Sequence, residues 1–140
     1  MLSHHHDPTM TVCEVAELLG VSEHDLRSRL ARGASGYVGE KSNGRIMLSV
    51  RDAYLLGIAY ALTAAGWPVK SANAAAATMA GTEPDSDRFV LSRPLGPKRF
   101  ELQAGNWDDL HPHADAAVTV IAPAIIWDAT TRTSSKIMEG

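Results

Sequence analysis

One cysteine, Cys13, is all that this 140-residue chain contains. That excludes an intrachain disulfide and a Cys-rich zinc knuckle, and it fits a reducing, cytoplasmic setting. Aromatic residues are also few, yet 45% of the chain is hydrophobic and 21% charged, which places it with folding domains and not with disordered tails or fibrous repeats. Neither sign of charge prevails. Thirteen Lys and Arg face sixteen Asp and Glu, for a net charge of −3, so no polybasic field covers the molecule and any nucleic-acid contact must be local. A basic start followed by an apolar run is missing, which argues against a secretory signal. The one candidate membrane span, residues 53–69, is interrupted by Gly57, Thr63, Gly66 and Pro68; it reads as a buried helix.

Catalytic patterns are lacking too. There is no Gly-rich phosphate loop and no supported Ser-His-Asp or Cys-His pair, so the chain reads as a non-enzyme without a cofactor. Asp108, Asp109, His111, His113 and Asp115 crowd one stretch, but without a second ligand motif this is a solvated loop and not a metal site. His4, His5 and His6 belong to a leader or tag, residues 1–9, outside the fold. Cys13, near Val12 and Val15, reads as a small core residue.

What is present is organised. Val12, Val15, Ala16, Leu18 and Leu19 recur at helical spacing behind Thr11, with Gly20 as a stop. Ser22 and Asp25 form a Ser-x-x-Asp box opening a second short helix, with Leu26 and Leu30 on its core side and Gly33 at its end. Residues 36–40 and 45–48 flank Lys41-Ser42-Asn43-Gly44, a hairpin signal. Ser49 with Asp52 opens a long helix over 50–65 closed by Gly66, and Pro68 starts another ending at Gly81. Composition then shifts. Strands are expected at 88–93 and 99–103, joined by Pro94-Leu95-Gly96-Pro97-Lys98, with a third at 117–121. Pro123 starts a final helix, or a fourth strand ends at Trp127; residues 123–135 read either way.

Two short helices with a tight turn, followed by a hairpin, form a constellation suited to groove recognition. The run Thr11-Val12-x-Glu14-Val15-Ala16-x-x-Leu19-Gly20-Val21-Ser22 carries a resemblance. So do Leu26-Arg27, Gly33, the hairpin ending in Arg45-x-x-x-Ser49, Asp52 and Leu62-x-x-x-Gly66. Together they resemble the DNA-binding domain of MerR-type winged helix-turn-helix regulators, over residues 11–80. The resemblance implies a second helix in the major groove and a wing beside it. Where that family usually places aromatic residues after Leu-Arg, this chain has Ser28 and Arg29, and a β-rich tail replaces the family's long dimerising helix.

The expected DNA-contacting residues are Ser22, His24, Arg27, Ser28, Arg29 and Arg32 on the second helix, with Lys41, Asn43 and Arg45 on the wing. Local charge agrees: residues 10–70 carry seven basic against six acidic side chains, and 82–140 six against nine. The fold class is α+β. A mainly helical winged helix-turn-helix domain over 10–81 precedes a small β-rich α+β module over 82–140. The expected function is sequence-specific binding of double-stranded DNA by a transcriptional regulator. The alternative is an excisionase-like or architectural accessory, or a phage-type assembly adaptor that uses the same fold for protein contacts. The 50–65 helix presents two apolar rows, and the Leu55, Ile58, Leu62 row calls for a partner. A homodimer through the C-terminal module would cover it and read a palindrome; otherwise the tail folds back over that row.

Overall fold

The computed structural model describes residues 7–33, 36–42, 44–81, 84–113 and 118–139, with backbone alone at 42, 113 and 133–139. A two-residue strand, β1 (Met10–Thr11), leads into α1 (Val12–Leu19). Thr11 caps that helix: its hydroxyl accepts from the Glu14 amide at 3.1 Å while the Glu14 carboxylate accepts from the Thr11 amide at 2.9 Å. Gly20 stops it at φ +72, a backbone conformation that costs a glycine nothing. The next helix, α2 (Glu23–Ala31), opens at Ser22, whose hydroxyl accepts from the Asp25 amide at 3.0 Å. Only half of the expected box forms. The Asp25 carboxylate accepts instead from the Tyr60 hydroxyl, at 2.5 Å.

The hairpin strands are β2 (Glu40–Ser42) and β3 (Arg45–Leu48). Ser42 pairs with Arg45, so the connection is shorter than the four-residue turn expected, and Gly44 takes φ +79. The first arm starts at Glu40 and not at Gly36. Sequence patterning did not foresee β1, which pairs Met10 with Leu48 and Thr11 with Met47; the sheet order is β1-β3-β2, all antiparallel.

Ser49 and Asp52 form a full capping box at the start of α3 (Val50–Ala64). This helix is buried around most of its circumference: Val50, Ala53, Tyr54, Leu55, Leu56, Ile58, Ala59 and Leu62 are all inaccessible. A helix that is apolar on every side needs neighbours on every side. Against it packs α4 (Val69–Met79), which offers the small Ala72 and Ala76. Among the described residues no helix is long and apolar enough to cross a membrane.

The tail is a second antiparallel sheet with helices around it. Strands β4 (Arg88–Gly96) and β5 (Arg99–Asn106) are longer than their sequence signals. The loop expected at 94–98 tightens to Pro97-Lys98, with Lys98 at φ +60. Then come α5 (Trp107–Leu110), a 3₁₀ turn (His111–His113), β6 (Thr119–Ile121) and α6 (Pro123–Glu139). Strand order is β5-β4-β6. Of the third strand expected at 117–121, Ala117 lies outside the described residues. The segment from Pro123 is a helix, so no fourth strand ends at Trp127.

That tail docks on α3. The Trp127 ring meets Tyr54 edge-on with centroids 5.1 Å apart, Trp67 stacks on Phe100 at 5.2 Å, and the Trp67 indole donates to the Ser92 hydroxyl at 2.8 Å. Val90, Ile121 and Trp127 join the same hydrophobic cluster as Leu26, Leu48 and Leu62. Leu55, Ile58 and Leu62 are fully buried within one chain. The row that motivated a homodimer is thus covered internally, and the boundary after Gly81 separates two parts of one core.

Gly57 marks the closest approach. A Cβ there would sit 2.7 Å from Ile126 Cγ2, so Gly57→Ala should destabilise by about 1–2 kcal/mol although alanine favours helices. In an Ile126→Ala background the same change should cost less. Urea denaturation measures both; a stabilising Gly57→Ala would mean that α6 does not dock here.

Candidate nucleic-acid interface

Three features place the hairpin. Its β3 strand is hydrogen-bonded to β1, which runs directly into α1. Asp52 on α3 accepts from the Gly39 amide at 3.2 Å while also capping its own helix through the Ser49 amide at 3.0 Å. Arg51, the neighbouring residue, donates to the Tyr37 carbonyl at 3.4 Å and to the Ala80 carbonyl at 3.3 Å. One helix start therefore ties the chain leading into the hairpin to the end of α4.

Between the hairpin, the first turn of α1 and α2 lies an open groove of about 520 Å³, bordered by Thr11, Val12, Cys13, Arg27, Lys41, Gly44, Arg45 and Ile46. Lys41 and Arg45 are exposed and make no ion pair among the described residues. Arg27 projects from α2 and is held by Glu23 at 2.7 Å, both side chains being open to solvent. An exposed pair of this kind contributes little, so an incoming anion can take Arg27 over at small cost.

The remaining candidates divide. Ser22, His24 and Arg32 are exposed and Ser28 is half-buried; the Ser22 hydroxyl is already engaged as the α2 cap. Asn43 lies outside the described residues. Arg29 requires a correction: counted with the DNA contacts, it turns inward, its side chain only 13% exposed. Its guanidinium stacks 3.6 Å from the Tyr60 ring centroid and donates to the Thr63 hydroxyl at 2.6 Å. The long-range partners Tyr60 and Thr63 decide this, and helical periodicity within α2 cannot reveal them.

No protein-family model matches the sequence, and no curated protein matches it.

Cys13 also departs from expectation, since it is exposed at the groove and not part of the core. The Glu23 carboxylate beside it pushes its thiol pKa up. Arg27 first, and then Cys13, hold Glu23 below the usual carboxylate range. The groove residues Thr11, Val12, Cys13 and Ile46 were missed as site candidates; Thr-x-x-Glu was the available signal for the α1 start. Of the tail's acidic and histidine cluster, Asp115 and the His113 side chain lie outside the described part. Among the described residues no three His, Cys, Asp or Glu side chains are grouped to hold a metal.

The inward cluster behaves as a unit. Burial raises the Tyr60 phenol well above its usual value of 10.0, and its hydrogen bond to Asp25 adds to this, against the opposing charge of Arg29. Burial alone pushes Tyr54 up to about 12. A phenol with a raised folded-state pKa contributes stability that is complete below its unfolded value and lost as pH climbs through the folded one. Stability should therefore hold up to about pH 10 and fall above it, with Tyr60→Phe showing a shallower alkaline loss in denaturant titrations. Arg29→Lys should lower stability by about 1–2 kcal/mol, because an ammonium cannot both stack on Tyr60 and reach Thr63. Thermal melts check this; an unchanged midpoint would deny the stack any role.

Proposed function

We propose that this chain is a non-enzymatic, sequence-specific double-stranded DNA-binding protein of winged helix-turn-helix type, acting as a transcriptional regulator in the cytoplasm. In this reading α2 enters the major groove through Ser22, His24, Arg27, Ser28 and Arg32. The β2-β3 hairpin is the wing, with Lys41 and Arg45 on adjacent phosphates. The observation that carries it is the convergence of Arg27 from α2 with Lys41 and Arg45 from the hairpin on one groove. Phosphate neutralisation depends on that local cluster, so a net charge of −3 is no obstacle. Arg29 has no part in it.

Internal coverage of the Leu55, Ile58, Leu62 row favours a second reading. With that row already covered, the chain binds as single units, as an architectural accessory arraying along DNA would, and not as a palindrome-reading dimer.

A selection of bound duplexes from a random pool, followed by gel shifts, tests the proposal. Arg27→Ala should weaken the selected site by about 1–3 kcal/mol and relax one base position. Lys41→Ala and Arg45→Ala should weaken all sequences alike, each reducing the logarithmic salt slope by about 0.9. Light scattering distinguishes a single unit near 15.0 kDa from a dimer. Affinity that ignores salt and each of these three changes would point to protein contacts instead.

A further inference from the structure

On the far side of α3 a second cavity, of about 370 Å³, opens between α4, the turn entering β4 and the start of α6. Its size falls in the range of small-molecule sites, roughly 300–1,000 Å³. Tyr54 lines it. Its relative exposure is 1%, and among the described residues its hydroxyl makes no hydrogen bond. Asp85 and Arg88 border the same cavity. Their side chains pair neither with each other nor with any described residue. Met79, Val90 and Pro123 supply an apolar wall.

We propose that this cavity binds a small zwitterion of the α-amino-acid class with an apolar side chain. One unpaired charge of each sign sets the choice: a simple anion would meet Asp85, and a simple cation Arg88, whereas a zwitterion satisfies both. Arg88 holds the carboxylate. Asp85 holds the ammonium, the Tyr54 hydroxyl bonds to either group, and the side chain rests on Met79, Val90 and Pro123. The site is separate from the groove between α2 and the hairpin, so it stands whether or not the chain binds DNA.

Isothermal titration of the full chain with L-leucine and L-phenylalanine tests this, using 4-methylpentanoate and 3-methylbutylamine as single-charge analogues. At least one amino acid should bind saturably with Kd below ~1 mM, and both analogues should be weaker by about tenfold or more. Arg88→Gln and Asp85→Asn, at exposed positions, should each raise Kd about tenfold with unchanged melting temperature. Tyr54→Phe should weaken binding while leaving stability intact, because no internal hydrogen bond is lost. Absence of saturable binding up to ~10 mM overturns the proposal. So does a Kd that Arg88→Gln and Asp85→Asn leave unaltered, or an analogue that binds as well as the amino acids.

Discussion

Everything in this molecule depends on the burial of α3. Leu55, Leu56, Ile58 and Leu62 are each completely removed from water, and each such side chain contributes about 1.5–3 kcal/mol. They point to different sides of the helix, so no single neighbour can collect that free energy. The helices α1 and α2 with the hairpin, then α4, then α6 must all pack on it, and α6 reaches it only because Gly57 has no side chain. The tail is therefore part of the core and not an appendage.

The same helix organises the polar surface. Tyr60 and Thr63 near its end draw in Arg29 and Asp25 from α2, locking the angle at which that helix stands. The Arg29 stack comes with one guanidinium nitrogen, Nη1, buried without a partner. Such a group is tolerated where the rest of the side chain is well held. Arg27, two residues earlier, stays in solvent with only Glu23 beside it. Two arginines on one short helix thus take opposite tasks, one structural and one available to an external anion.

At its start α3 holds the hairpin as well. Asp52 caps the helix and receives the Gly39 amide, and Arg51 grips the carbonyls of Tyr37 and Ala80. Pairing of β3 with β1 then brings Lys41 and Arg45 to the same groove as Arg27.

Local rules were legible in the sequence because they act over three or four residues. The Ser22 and Ser49 caps, the stops at Gly20 and Gly66, and the hairpin of β2 and β3 are of this kind. So are the two apolar rows of α3, and with them the α+β class. What sequence could not determine was long-range pairing. Whether residues 123–135 form helix or strand depends on α3 offering a seat at Gly57 for Ile126 and a ring at Tyr54 for Trp127. Whether the Leu55, Ile58, Leu62 row needs a second subunit depends on that same docking. Whether Arg29 faces in or out depends on Tyr60, thirty-one residues away in the chain. Periodicity states that a face must be covered, but only tertiary packing decides which segment covers it, because apolar burial has no direction and no address.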